Sequence, residues 1–248
     1  TLSSWTAPQL GAAVVRDVLR RAGLAPEQVD EVVMGDVLQA GLGQAPARQA
    51  ALGAGLPPTV SALTVNMMCG SGLRAVMLAD AAIRAGTARC IVAGGMESMT
   101  RAPHLLLGTR SGWKYGHQQA VDSMIADGLW CAFENQAMGA AADHTAAKYD
   151  VSRADQDRWA CESHRRAIAA RDAGEFRREI VPIDVAAGKT KTTIIDDEGP
   201  RADADPDRLA TLKPAFAADG TVTAGNASQI SDGAAAAAVV DEGMLKTL

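Results

Sequence analysis

The stretch VNMMCGSGLRAV, residues 65–76, joins the end of a short apolar run to the start of a helical pattern. Cys69 stands at that junction and is followed by Gly70 and Gly72, so small residues flank the thiol. At a strand-to-helix junction a side chain can stand at the helix N-terminus, where unpaired N–H groups and the helix dipole favour a thiolate. Glycines leave backbone N–H groups unshielded, which suits the oxyanion of acyl transfer. The stretch therefore predicts a strand, a turn that carries a thiol, and a helix.

Two interpretations of Cys69 remain open from the residues alone. A free cysteine is often a small, buried hydrophobic residue. The junction position is an argument for a nucleophile instead, and the residues alone leave both interpretations open. A hydrolase is a weaker reading, because the chain has no G-x-S-x-G motif and no histidine in a recognisable partner motif.

Strand and helix patterns alternate on both sides of this junction. Thr6 can cap a first helix, with Pro8 in its first turn and Gly23 as its end. Further strands are predicted at 29–38, 61–67 and 88–99, and further helices from about 45 and over 72–87. This alternation favours a mainly parallel sheet with helices on both faces.

The helix predicted over 72–87 carries large apolar residues that we expect to face one way: Leu73, Val76, Met77 and Ile83. The run AAAAAVV near the end of the chain, residues 234–240, is predicted to be a buried strand. The segment between these elements, 101–230, does not continue the alternation of strands and helices. It has loops, an acidic turn-rich stretch, and a charged helix that Ser152 and Asp155 are predicted to begin. We therefore predict one α/β domain formed by 1–100 and 231–248, interrupted by a second domain at 101–230.

Composition excludes several classes of function. The formal net charge of -5 disfavours a broad nucleic-acid surface, and no apolar run approaches the roughly 20 residues that span a bilayer. The four cysteines show no CxxC and no spacing with histidine that indicates zinc, so no metal site is expected. No secretory signal is visible, so we expect a cytoplasmic protein with reduced thiols and no membrane or nucleic-acid partner.

Five segments together resemble the thiolases, in the order in which that family has them: GQAPARQAAL, NMMCGSGLRAV, IVAGGMESMTRAPHLL, DGLWCAFENQAMGAAA and LKPAFAADGTVTAGNASQISDGAAAA. The resemblance covers essentially the whole chain. It implies a layered α/β/α fold with a mixed, mainly parallel sheet and an inserted loop domain at 101–230 that contacts coenzyme A. It also implies acyl transfer in fatty acid metabolism with acyl-CoA and coenzyme A as substrates, no other cofactor, and a homodimer or homotetramer.

The resemblance assigns roles to single residues. Cys69 matches the nucleophile that takes the acyl group, with its own backbone N–H helping to hold the thioester oxygen. Residues that match the coenzyme A site are Leu129 and Met138 at the pantetheine tunnel, Arg201 near the adenine, and Phe216, Ala224 and Ser228 along the pantetheine. The sequence departs from many thiolases at Ala137, where they have a histidine. The chain's own histidines match no catalytic position and are expected to be surface or structural residues: His104, His117, His144 and His164.

Thiolases also have a second α/β domain, which supplies a histidine in a GHP motif and a second catalytic cysteine. Neither motif occurs in this sequence, and the family's first strand is also not matched. We therefore expect this chain alone to be an incomplete catalyst. The alternative is a non-catalytic acyl-CoA-binding or assembly module of the same fold. A ketoacyl synthase is disfavoured, because those enzymes lack the GGMESM and GNASQISDGAAAA segments in this form.

Overall fold

A computed structural model of the chain describes residues 1–187 and 190–248. The helices are α1 (Ala7–Ala22), α2 (Pro46–Ala54), α3 (Ser71–Arg84), α4 (Met138–Lys148), α5 (Arg153–Asp172), α6 (Pro206–Ala210) and α7 (Glu242–Leu245). The strands are β1 (Glu31–Gly35), β2 (Ser61–Val65), β3 (Cys90–Ser98), β4 (His104–Leu105), β5 (Val121–Asp122), β6 (Trp130–Cys131), β7 (Gln136–Ala137), β8 (Ile183–Ala187), β9 (Thr190–Ile194) and β10 (Asp232–Val240). Among the described residues, no helix is both long and apolar enough to cross a membrane.

The main sheet has four strands in the order β10–β3–β1–β2. Strand β1 runs parallel to both neighbours, with Val33 opposite Leu63 on β2 and opposite Ala93 on β3. Strand β10 runs antiparallel to β3, with Ala236 opposite Gly94. The prediction of a mixed, mainly parallel sheet is therefore confirmed.

Successive side chains of a strand point to opposite faces of the sheet. Apolar strand residues therefore lie on both faces of this sheet, and helices cover both. On one face Val32 and Met34 pack in a core that also contains Val15 of α1 and residues of α2. On the other face Val33 packs with Ala75 and other residues of α3. This arrangement is the predicted layered α/β/α fold.

Helix α1 begins and ends where the sequence predicted. The Thr6 hydroxyl accepts a hydrogen bond from the Gln9 N–H at 3.3 Å, and the Gln9 side chain accepts one from the Thr6 N–H at 2.9 Å. Gly23 ends the helix in the left-handed region, with φ 67°, where a residue without Cβ is unstrained. The reciprocal cap and the glycine thus fix both ends of the helix.

Helix α3 uses a different face from the one its large side chains suggested. Leu73, Val76 and Met77 are exposed, whereas Ala75 and Ala79 are completely buried against the sheet. Ala75 and Ala79 pack there against Val33, Ile91 and Ala93 of the strands. The apolar stripe predicted from the sequence is therefore the outer surface of α3.

Strand β10 forms, but the prediction that it is fully buried was wrong. Its residues alternate between partly buried and exposed positions over Asp232–Ala238. Ala234, Ala236 and Ala238 pack against the core beneath α1. The strand lies at one edge of the four-stranded sheet, so its other face receives less cover.

The chain divides into two compact units. Unit 1 comprises 1–128, 183–192 and 231–248, and unit 2 comprises 129–182 and 193–230. The insertion predicted at 101–230 contains all of unit 2, together with two segments that cluster with unit 1. In unit 2, α5 begins as predicted, since the Ser152 hydroxyl accepts from the Asp155 N–H at 3.1 Å.

Candidate active site and ligand pocket

A tight turn between β2 and α3 presents Cys69. Met68 adopts the left-handed region with φ 50°, which is uncommon for a residue with a side chain. The Met68 N–H donates to the Asn66 side-chain oxygen at 3.0 Å, and the Ser71 hydroxyl donates to the Met68 carbonyl at 2.6 Å. The same hydroxyl accepts from the Met67 N–H at 2.8 Å. Asn66 and Ser71 therefore hold the turn from both sides and offset the strain at Met68.

The start of α3 lies against the end of β1. A Cβ added to Gly35 would lie 2.7 Å from the Ser71 Cβ and 2.9 Å from the Gly72 nitrogen. Only glycine leaves room for this approach. The close packing of these backbones fixes the position of the turn relative to the sheet.

Cys69 is exposed and lies directly before Gly70, the N-cap of α3. The predicted strand–turn–helix order around the thiol is therefore confirmed. The sequence analysis expected the backbone N–H groups of the glycines to be unshielded. The Gly70 N–H instead donates to the Met67 carbonyl at 3.1 Å. The Gly70 N–H is thus used within the turn.

The other three cysteines lie in less reactive surroundings. Cys90 is completely buried in β3, and this burial, followed by the nearby charge of Asp30, raises the pKa of its thiol to about 11. The pKa of Cys161 is also raised, first by burial and then by the charges of Asp205 and Asp157. Cys131 is partly exposed, and its sulfur accepts a hydrogen bond from the backbone of Glu134 at 3.5 Å. Cys69 is therefore the best exposed of the four thiols.

Two carboxyl groups that the sequence analysis did not single out lie beside this turn. Asp36, directly after β1, is 1% exposed, and Glu97 on β3 acts on it electrostatically and by a hydrogen bond. Burial, then the charge of Glu97 and then the hydrogen bond raise the pKa of Asp36 to about 8. No sequence pattern distinguishes a buried aspartate after a strand from one in a solvated loop.

Unit 2 contains a pocket of about 670 Å³. Three of the residues assigned to the coenzyme A site line it: Arg201, Ala224 and Ser228. The other three lie in unit 2 outside this pocket. Among them, the Phe216 ring lies against Gly139, because a Cβ added to Gly139 would be 2.2 Å from that ring. Gly139 is the residue next to Met138 in the chain. Leu129 ends a π-helical turn and is partly buried.

The pocket also contains polar and aromatic residues that the sequence analysis did not assign to it, including Trp159, His164 and Arg208. The Arg201 backbone N–H donates to His164 Nδ1 at 3.2 Å. Asp203 accepts from Arg201 Nε at 3.3 Å and from Arg208 Nη1 at 2.8 Å. Two guanidinium groups are thus joined by one carboxylate at the pocket, which leaves a net positive charge there.

A buried polar network shapes the pocket wall. Asp157 is 2% exposed and accepts from Arg153 Nε at 2.7 Å and from Asn226 Nδ2 at 2.9 Å. The Asn226 side-chain oxygen accepts from the Thr223 N–H at 2.7 Å. These bonds attach the segment around Ala224 to helix α5.

Within residues 1–187 and 190–248, no group of three or more His, Cys, Asp or Glu side chains is arranged to hold a metal ion. Each unit thus has its own candidate feature: unit 1 has a thiol on a helix N-terminal turn, and unit 2 has an anion-compatible pocket.

Comparisons with known proteins agree with the resemblance found in the sequence. The family model described as "Thiolase, N-terminal domain" matches residues 1–243. An acetyl-CoA acetyltransferase of Pseudomonas aeruginosa is 51% identical over 100% of this chain and 63% of its own length. One of Chromobacterium violaceum is 52% identical over 95% of this chain and 60% of its own length. The crystal structure of the Bacillus anthracis acetyl-CoA acetyltransferase superposes with a TM-score of 0.95 at 36% identity, covering 100% of this chain and 62% of that one. The chain thus spans about three fifths of the length of these relatives.

Proposed function

The chain belongs to the thiolase family, and we propose that it transfers acyl groups between coenzyme A thioesters through an acyl group carried on Cys69. The observation that carries this proposal is the exposed thiol on a hydrogen-bonded turn at the start of α3. Two relatives that are about half identical to this chain are named acetyl-CoA acetyltransferase. Acyl transfer is the chemistry that such a thiol performs with a thioester.

In the first step the Cys69 sulfur attacks the carbonyl carbon of the acyl-CoA. A new carbon–sulfur bond forms to Cys69, the bond to coenzyme A breaks, and the cysteine's proton goes to the departing coenzyme A thiol. The helix N-terminus favours the thiolate, and the Cys69 backbone N–H is proposed to help hold the negative oxygen of the intermediate. In condensation the α-carbon of a second acetyl-CoA then takes the acyl group: a carbon–carbon bond forms, the bond to the Cys69 sulfur breaks, and the proton lost by the α-carbon goes to that sulfur. Thiolysis is the reverse: Cys69 attacks the 3-keto carbon of a 3-ketoacyl-CoA, the carbon–carbon bond breaks, the departing acetyl-CoA takes the cysteine's proton, and the acyl group then passes from Cys69 to coenzyme A.

The pocket of unit 2 is proposed to bind coenzyme A at its nucleotide end. Its volume of about 670 Å³ falls in the range of about 300–1,000 Å³ that is usual for small-molecule sites. Arg201 and Arg208 supply cationic groups for the phosphates, and the Trp159 ring offers a flat surface for the adenine. Asp203 orients both guanidinium groups, so that they are held ready for an anion.

Pantetheine is an amphipathic rod that needs apolar walls with an occasional hydroxyl group. Ala224 and Ser228 offer such a wall in the pocket. Met138 and Phe216, 50% and 47% exposed, offer apolar surface near each other outside it. We include these four residues, together with Leu129, in the proposed coenzyme A site.

We also propose that the protein forms a homodimer or homotetramer through the outer face of β2 and α3. This face carries six exposed large apolar residues: Leu63, Met67, Met68, Leu73, Val76 and Met77. β2 is an edge strand of the sheet, so its outer side is open to further pairing. Exposed large apolar residues that are concentrated in one segment of the chain favour an interaction site. The four cysteines are all free thiols, which agrees with the proposal that the protein works in the cytoplasm.

The test is to look for the acyl-enzyme directly. The protein is incubated with acetyl-CoA, quenched in acid and digested, and the acetylated peptide is identified by mass spectrometry. We expect acetyl on the peptide that contains Cys69, with release of coenzyme A in equal amount, and no such product in Cys69→Ala. Cys131→Ala is the matched control and should acetylate normally. Binding of acetyl-CoA without acetylation at Cys69 would favour the non-catalytic module, and acetylation of another cysteine would overturn the assignment.

A further inference from the structure

We propose that Asp36 and Glu97 share one proton, and that this shared proton helps to hold the turn that carries Cys69. Asp36 is on this account a positioning residue, since it acts through the backbone of the turn. The sharing of the proton is independent of the acyl-transfer role proposed for Cys69.

The place of Asp36 in the fold links it to the turn. Its backbone N–H donates to the carbonyl of Val65 at 3.0 Å, and Val65 is the last residue of β2 before the turn. The preceding residue, Gly35, is the one that lies against Ser71 at the start of α3. Any displacement of Asp36 is therefore passed directly to both ends of the turn at 66–71.

The hydrogen bonds around the pair show where the proton must be. Among residues 1–187 and 190–248, neither Asp36 oxygen receives a hydrogen bond from an N–H or hydroxyl donor. Glu97 has both oxygens occupied, one by the Val37 N–H at 2.9 Å and one by the Leu38 N–H at 3.3 Å. Glu97 is thus stabilised as a carboxylate, whereas Asp36 has nothing to stabilise a negative charge. A proton on Asp36 that is donated to Glu97 neutralises Asp36 and pairs one of its oxygens, whereas two adjacent buried charges would repel each other.

Within 1–187 and 190–248, no cationic side chain stabilises a negative charge on Asp36. Glu97 is the charged group that acts on Asp36 among the described residues, and its effect raises the pKa of Asp36. Arg74 on α3 and Arg101 after β3 do not lower that pKa, and Arg101 instead donates to the Ser3 carbonyl at 3.3 Å. The residues at 61–72 contain no charged side chain and only one titratable group, the thiol of Cys69.

The consequence for stability follows from the raised pKa. The pKa of Asp36 is near 3.8 in the unfolded chain, and burial beside Glu97 raises it to about 8 in the folded state, so the folded state holds the extra proton between these values. The stabilisation is complete below about pH 4, is lost as the pH rises through about 8, and stays lost above that. Above pH 8 two neighbouring carboxylates repel each other beside the turn.

Asp36→Asn is the informative variant, because its amide can donate to Glu97 as the protonated acid does but cannot lose the proton. Thermal unfolding of both proteins is measured from pH 5 to pH 9.5. We expect the Tm of the wild type to fall relative to that of Asp36→Asn by at least about 5 °C over this range. Selective ¹³C labelling of aspartate should show one carboxyl carbon that titrates near pH 8 and is lost in the variant. The proposal of a shared proton would be overturned if the difference in Tm between the two proteins stayed constant with pH and no carboxyl carbon titrated near pH 8.

The positioning role has its own readout. Hydrogen exchange of the Met67 and Met68 amides reports on the turn, because both donate to side chains that hold it. The quantity to compare is the ratio of the protection factors of these two amides in the wild type to those in Asp36→Asn. We expect this ratio to fall at least about threefold between pH 7 and pH 9. An unchanged ratio alongside a pH-dependent Tm would show that the pair stabilises the sheet without positioning the turn. Glu97→Gln is the second variant, and it should remove the titration near pH 8 because Asp36 then has an amide donor and no neighbouring charge.

Discussion

The Ser71 hydroxyl lies 2.6 Å from the carbonyl oxygen of Met68 and donates a hydrogen bond to it. Through this bond the first residue of α3 holds the residue before Cys69 in the left-handed region. Ser71 is 5% exposed, so water cannot readily replace its bonds. The position of the Cys69 thiol thus depends on the Ser71 side chain.

Ser71→Ala should therefore destabilise the protein. The Met67 N–H would lose its partner and the Met68 carbonyl would keep only the Ser71 backbone N–H at 3.0 Å, and a buried polar group left without a partner typically costs about 1–3 kcal/mol. The free energy of unfolding in urea measures this loss, and the rate of Cys69 acetylation should fall with it. Ser61→Ala is the control, because Ser61 is exposed at the start of β2. Equal stabilities for the two variants would contradict the role given to the Ser71 hydroxyl.

Gly35→Ala should displace the start of α3. The new methyl carbon would lie 2.7 Å from the Ser71 Cβ, and also close to backbone atoms that cannot turn aside. Overpacking of this kind typically costs about 1–3 kcal/mol, and the cost should be at the upper end here because backbone is involved. Gly233→Ala is the matched control in the same sheet, since nothing lies within 4 Å of its added methyl group. Urea unfolding should separate the two variants clearly, and a fully stable Gly35→Ala would mean that the close approach is wrong.

Asp157→Ala should weaken unit 2 and its pocket together. Removing this buried carboxylate leaves the Arg153 guanidinium without its counter-ion and Asn226 without one of its acceptors, and breaking a buried ion pair typically costs about 3–5 kcal/mol. Because Asn226 also holds the Thr223 backbone, coenzyme A should bind more weakly as well. Asp172→Ala is the control, with a side chain that is 63% exposed. Calorimetric unfolding and titration with coenzyme A provide the two measurements, and an effect no larger than that of the control would exclude a structural role for Asp157.

Arg201→Ala and Arg208→Ala should each weaken binding of coenzyme A more than binding of pantetheine, which lacks the nucleotide. A charge-assisted bond to phosphate is worth about 1.5–3 kcal/mol, so the Kd for coenzyme A should rise by about tenfold or more. Isothermal titration with both ligands tests this, with Arg158→Ala as an exposed arginine control on α5. If both ligands lost affinity equally, these arginines would not mark the nucleotide end.

The elements that could be predicted from the sequence are those with strong local signals. Thr6 and Gly23 fix the ends of α1 through short-range caps, and the order of strand, turn and helix around Cys69 follows from residues close together in the chain. The exposed face of α3 could not be predicted, because Ala75 is buried through a contact with the sheet that only the tertiary structure provides. The same reason hid Asp36, whose pKa is raised first by burial and then by Glu97, a residue brought near it by the pairing of β1 with β3.

In the pocket of unit 2, Ala224 and Ser228 were assigned by resemblance alone. Asp203 and Arg208 were not found, since a bridge between two arginines has no sequence signature. Local pattern thus located the exposed thiol, whereas the charges around the pocket required the folded chain.

Cys69 should be the first of the four cysteines to react with a small alkylating reagent near pH 7.5. Only the thiolate reacts, so a thiol with a pKa of about 11, such as that of Cys90, contributes about one part in a thousand or less as thiolate at this pH. Cys161 is disfavoured in the same direction by burial and by two nearby aspartates. Cys131 is the closest competitor because it is partly exposed, but it does not lie at the start of a helix. Brief treatment with iodoacetamide, digestion and mass spectrometry give the extent of labelling at each site. Acetyl-CoA added beforehand should protect Cys69 and leave Cys131 unchanged, and the Cys69→Ala variant should show no fast phase. Faster labelling of Cys131 or Cys161 in the folded protein would remove the physical basis for choosing Cys69 as the nucleophile.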